Sequence, residues 1–133
     1  MEKKRDWIVA GAIIRDGNKY LFTQERKPEY YGQWSTPGGR VEEGDTPKET
    51  IIREVKEETN YDIKIVRKLG VFNPDGLFAH MFEAELVGGE LKFPENELMD
   101  VRWLTAEEIL GGKYQIRGGD TIPNLIQEIE SRS

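Results

Sequence analysis

The stretch Pro37-Gly38-Gly39-Arg40-Val41-Glu42-Glu43-Gly44-Asp45-Thr46-Pro47-Lys48-Glu49-Thr50-Ile51-Ile52-Arg53-Glu54-Val55-Lys56-Glu57-Glu58-Thr59-Asn60 joins a glycine turn to the strongest helix signal in the chain. Thr46 suits the N-cap, Pro47 the first helical position, and Glu49, three residues after Thr46, completes a capping box. The spacing predicts a helix to about Thr59, with Asn60 as its left-handed terminator. Ile51, Ile52 and Val55 form an apolar face able to seat the helix on a sheet. Glu54, Glu57 and Glu58 project within a sector of roughly 100° elsewhere on its surface.

Three negative charges on one sector carry a cost. The pair Glu54 and Glu58, four apart, costs about 0.2–0.5 kcal/mol in an exposed helix, and Arg53 relieves only part of it. A solvated acidic face is the ordinary reading of a glutamate-rich helix. The glycine turn just upstream argues for a bound cation instead, because absent side chains let backbone carbonyls and amides approach a ligand closely. Carboxylates with no histidine or thiolate among them select Mg²⁺, or Mn²⁺ as a substitute, over zinc or copper.

Working outward, Ile8 to Ile14 and Lys19 to Gln24 read as two strands joined by a turn at Asp16-Gly17. Lys3, Lys4 and Arg5 before the apolar run Trp7 to Ile14 faintly imitate a signal peptide, but that run is short and β-branched and ends in a turn, as a first strand would. From Glu25 to Asp45 the chain reads as irregular loop with aromatic content. Beyond the helix, Tyr61 to Val71 and Leu77 to Leu86 read as strands about the turn Asn73-Pro74-Asp75-Gly76. Val101 to Leu104 is a short strand, Thr105 caps a brief helix through Leu110, and Pro123 to about Ser131 is a closing amphipathic helix. Strands not separated by regular crossover helices point to an α+β arrangement: a mixed sheet with helices on its faces, not a doubly wound fold.

The bulk numbers bound the rest. A chain of 133 residues, 37% apolar, suits one domain over residues 1–133. A net charge of -6 argues against a grip on nucleic acid polymer. Against a phosphorylated small molecule the same acidity calls for divalent cations in between. No cysteine and a single histidine, His80, remove disulfides, thiolate sites and the usual nucleophile triads. No stretch is long enough to cross a bilayer as a helix, and the expected compartment is the cytoplasm.

Gly39 to Tyr61 resembles the Nudix box, whose family pattern is G-x5-E-x7-R-E-U-x-E-E-x-G-U with U a bulky apolar residue. The core Arg53-Glu54-Val55-Lys56-Glu57-Glu58 matches in full and without a gap. Two positions depart from it. Asp45 stands where the family has Glu, on a shorter arm that can still pair with Arg53; Asn60 stands where it has Gly, and Asn is the next best residue for a left-handed helix end.

The resemblance implies a Nudix α/β/α sandwich and hydrolysis of a phosphoanhydride bond in a nucleoside diphosphate linked to another group. It implies metal binding by Glu54, Glu57, Glu58 and the carbonyl of Gly38, with Arg53 orienting the carboxylates, and a further glutamate from a late loop: Glu97, with Glu95 as competitor. The general base is Glu57 first and Glu97 second. Arg26, Lys27 and Arg40 flank the glycine turn and are candidate phosphate ligands, or ordinary surface charge. Trp34, Tyr30 or Tyr31 is placed to stack on a base, or to form a small satellite core. His80 among apolar neighbours is structural, and Phe78 with Phe82 on one strand face is most simply core. The box leaves the substrate open. A short chain without an extra N-terminal segment leans to a nucleoside triphosphate, giving monophosphate and pyrophosphate. ADP-ribose or another nucleotide sugar is the alternative, and a sensor that binds nucleotide without turnover is the second. Family members are often dimers, though no exposed seam here demands one.

Overall fold

The computed structural model describes residues 7–132, the side chain of Asp75 excepted; Lys3, Lys4 and Arg5 lie outside the described residues. Strand β1 (Ile8–Asp16) and strand β2 (Lys19–Glu25) form the expected hairpin, its two-residue turn at Gly17 and Asn18 and not at Asp16. They pair only at its closed end, Arg15 with Tyr20 and Asp16 with Lys19. Beyond that each takes other partners, and the place where they part becomes the cleft described below.

The segment read as irregular loop contains two short strands, β3 (Trp34–Ser35) and β4 (Gly38–Arg40). β3 pairs with β2, and β4 pairs with β1 through Gly38 opposite Gly11 and Gly39 opposite Ala10. Helix α1 (Pro47–Thr59) follows within the expected bounds. Thr46 and Glu49 exchange both capping-box hydrogen bonds at 3.1 Å, and Asn60 takes φ 66° as the left-handed cap. Strands β5 (Asp62–Phe72) and β6 (Phe78–Gly88) are antiparallel to each other, while β6 runs parallel to β1. Strand β7 (Leu98–Thr105) is twice the expected length because it pairs with the whole of β2. Helices α2 (Ala106–Leu110) and α3 (Thr121–Ser131) close the described chain.

The main path of the mixed sheet runs β3-β2-β1-β6-β5, with β4 on β1 and β7 on β2. Alternation along β1 sends Ile13 to one face, where Ile109 of α2 and Ile122, Leu125, Ile126 and Ile129 of α3 cover it. Ala10, Ala12 and Ile14 face the other way, against Ile51 and Val55 of α1. Helices on both faces of one mixed sheet make the α/β/α sandwich. Ile52, expected on the seating face, is half exposed, since the helix buries Ile51 and Val55 one turn apart. Phe82 is buried against α1 as expected, but Phe78 on the same face is 47% exposed, because it begins β6 beyond the stretch that the helix covers.

Candidate active site

Where β1 and β2 part, an open cleft of about 880 Å³ is lined on one wall by Gly38, Gly39, Glu54 and Glu58 and on the other by Glu25, Arg26, Lys27 and Glu97. The wall at α1 is built by close packing of β4. A Cβ added to Gly39 would stand 2.6 Å from Cδ of Glu54, and one added to Gly38 would stand 2.3 Å from the carbonyl oxygen of Ala10. The two glycines are therefore a steric requirement: only bare backbone lets α1 bring its carboxylates to the strand.

Gly38 is a non-hydrogen-bonded partner of Gly11, since Ala12 N–H donates to the Pro37 carbonyl and Val41 N–H to that of Ile8. In extended backbone the N–H and C=O of one residue point the same way. The N–H of Gly38 donates to Oε1 of Glu58 at 3.2 Å, so its carbonyl also faces the α1 side.

The charges on this wall are poorly compensated. Burial pushes the Glu58 carboxyl up to about 8, the Gly38 N–H pulls it back, and the neighbouring Glu54 and Glu25 push it further. Glu54 is raised too, by burial and by Glu57, against the pull of Arg53 and Lys27. Arg53 is shared among three carboxylates. Its Nη1 is 2.5 Å from Oδ2 of Asp45, its Nη2 3.7 Å from Glu54 and its Nε 3.9 Å from Glu57. The shorter arm of Asp45 thus still reaches Arg53 across the turn. Among the described residues no three carboxylates already close around one point.

The residue types nonetheless fit a hard divalent cation. Glu58 is a partly buried carboxylate short of positive charge, Glu54 and the Gly38 carbonyl share its wall, and every donor is oxygen. Glu97 lines the facing wall, while Glu95 lies away from the cleft beside Leu91 and Phe93. Glu57 is 60% exposed and drawn to Arg53, outside the lining.

Arg26, Lys27 and Arg40 all line the cleft, Arg40 with its guanidinium 4.3 Å above the ring of Trp7. Trp34 does not. It is 6% exposed, its ring edge-on to Tyr114 with Arg102 over it, and it belongs to the main core beneath α2 and α3, not to a small satellite core. Tyr31 is exposed and Tyr30 is stacked by Arg117, and neither lines the cleft. His80 also stands outside it, with Lys68 Nζ 2.9 Å from its Nδ1; burial and that cation hold its pKa down. Sequence reasoning missed Glu25 and Arg117. Glu25 ends β2 in no motif, and Arg117 sits next to glycines far along the chain, so only the folded arrangement brings them to the cleft.

The sequence pattern of the NUDIX domain matches residues 5–125. The chain belongs to the NUDIX family. This NUDIX domain is 35% identical over 91 residues to an ADP-ribose pyrophosphatase of Methanocaldococcus jannaschii, covering 64% of this chain and 54% of that protein. It is 31% identical over 128 residues to a MutT-like protein of Streptomyces ambofaciens, covering 92% and 80%. The crystal structure of a NUDIX hydrolase from Nitrosomonas europaea superimposes with a TM-score of 0.79 at 26% identity, over 98% of this chain and 74% of that one. The chain spans only 33% to 54% of the length of three curated relatives that it matches. No helix among the described residues is long and apolar enough to cross a membrane.

Proposed function

We propose that this NUDIX domain is a divalent-metal-dependent pyrophosphohydrolase that cleaves a phosphoanhydride bond in a nucleoside diphosphate linked to another group. The observation that supports it is the shared cleft: Glu54, Glu58, the backbone of Gly38 and Glu97 stand with Arg26, Lys27 and Arg40 around one open volume. Acidic oxygens alone would repel a polyphosphate and cations alone would not activate water; hydrolysis of an anhydride needs both.

Glu54, Glu58, Glu97 and the Gly38 carbonyl would hold Mg²⁺ or Mn²⁺, and Glu57 would join them by turning away from Arg53. Bound there, the ion would offset charge on the anhydride oxygens and lower the pKa of water. Glu57 is the first candidate for the base that removes the proton, with Glu97, the carboxylate on the facing wall, second. Arg26, Lys27 and Arg40 bind phosphate oxygens. Arg53 holds Asp45 and Glu54 in place, which fixes the turn against the helix.

A nucleoside triphosphate, yielding monophosphate and pyrophosphate, is the first substrate class, since the cleft cations Arg26, Lys27, Arg40 and Arg117 suit its high charge. ADP-ribose or another nucleotide sugar is the second, favoured by the name of the Methanocaldococcus relative. Incubation of the protein with Mg²⁺ and a panel of triphosphates, nucleotide sugars and dinucleoside polyphosphates, read by product chromatography, tests the proposal. Turnover of one class is the expected result. Binding without turnover of any would leave a nucleotide sensor.

A further inference from the structure

Arg117 is set in the segment between α2 and α3, yet its position is fixed by β3. The Trp34 N–H donates to the Gln115 carbonyl and the Arg117 N–H to the Trp34 carbonyl, both at 2.8 Å, so the segment lies beside β3 like a further strand. Arg117 lines the cleft. Its guanidinium carbon lies 3.7 Å from the ring centre of Tyr30, in the short 3-10 turn Pro28–Tyr30, so one face of the planar group is occupied. Stacking leaves the in-plane N–H groups available, and that fork is the arrangement that grips a phosphate by two donors.

Its ion pair with Glu25 is a loose one. Nη1 of Arg117 stands 4.0 Å from Oε2 of Glu25, beyond hydrogen-bond length, although both side chains are largely out of water, 22% and 12% exposed. The backbone of Glu25 is held across the loop, its N–H donating to the Gln33 carbonyl and its carbonyl accepting from the Gly32 N–H, which fixes where its side chain starts. Arg117 lines the cleft together with Glu25, Arg26 and Lys27, so its fork stands among the cleft's other charged groups. The same Glu25 also pushes the Glu58 carboxyl upward, and Glu25, Arg117 and Glu58 line one cleft.

From this geometry we propose that Arg117 is a further substrate-binding residue, a preset fork that takes a phosphate oxygen of the nucleotide while Glu25 serves as its resting partner. The inference rests on the pyrophosphohydrolase reading for its substrate class, but its test does not need turnover. The probe is α,β-methylene-ADP with Mg²⁺, titrated by calorimetry at several KCl concentrations into wild type, Arg117→Gln and Arg117→Lys. Arg117→Gln is expected to weaken binding by about tenfold to a hundredfold and to make it less salt-dependent, with Arg117→Lys between the two. A variant that loosens the fold without losing a phosphate contact would leave the salt dependence unchanged. An affinity or salt dependence of Arg117→Gln equal to wild type overturns the proposal, as does failure of the wild type to bind the analogue. Tight binding by a wild type that turns over no nucleotide would sink the proposed activity and leave Arg117 in place.

Discussion

The backbone N–H of Gly38 donates to Oε1 of Glu58 across 3.2 Å, joining the glycine turn to the last turn of the helix through a partly buried carboxylate. One N–H does not compensate a buried charge flanked by Glu54 and Glu25. Burial accordingly raises Glu58 from the ordinary 4.5 to about 8.

Between those two values the folded protein binds more protons than the unfolded chain, so the stability of the metal-free protein falls as pH rises from about 5 to about 8. Calorimetric melting in EDTA is expected to show this decline. Glu58→Gln flattens it, since Gln cannot ionise, and Mg²⁺ at pH about 8 restores wild-type stability by binding the folded state alone. A slope in Glu58→Gln equal to that of wild type would count against the assignment.

The two glycines fail in different ways. An added Cβ at position 39 meets the flexible end of Glu54, which can swing aside, so Gly39→Ala keeps its melting temperature while kcat/KM falls by at least about tenfold. The same methyl at position 38 meets the Ala10 carbonyl, which is backbone in a paired strand. Gly38→Ala is expected to lose about 1–3 kcal/mol in urea unfolding. Equal destabilisation by both would show that the turn is not divided in this way.

Asn60 holds the left-handed cap at φ 66° where the family pattern has Gly. Its Nδ2 donates to the Glu90 carbonyl at 2.9 Å, which offsets part of the strain a side chain brings there. Asn60→Ala loses both advantages and costs about 1–2 kcal/mol; Asn60→Gly trades one for the other and stays within about 1 kcal/mol of wild type. Denaturant midpoints of the two variants check the order.

Trp34 distinguishes a core aromatic from a base-stacking one. Trp34→Ala is expected to cost about 3–5 kcal/mol, while Trp34→Phe, which keeps a ring against Tyr114, leaves nucleotide affinity unchanged. A clear loss of affinity in the phenylalanine variant would return the residue to the binding site.

The helix was legible because its signals are local: a cap, a proline, a period and a terminator lie within fifteen residues. The acidic wall was legible for the same reason, being contiguous with the helix. β3 and β4 were hidden because strands of two and three residues have no period to read, and glycine and proline around them signal a turn. Trp34 looked available for stacking because the chain cannot show that Tyr114, eighty residues later, comes to cover it. Glu25 and Arg117 reach the cleft through pairings with β3 and the Gly32–Gln33 turn, a tertiary fact with no local trace.

Single replacement of Glu54, Glu57 and Glu58 by Gln, assayed for Mg²⁺-dependent release of product from the nucleotide that wild type turns over, tests the metal wall most directly. Each variant is expected to keep its far-ultraviolet circular dichroism and to lose about a hundredfold or more in kcat/KM. Near-wild-type turnover in all three, with the fold intact, would contradict the account.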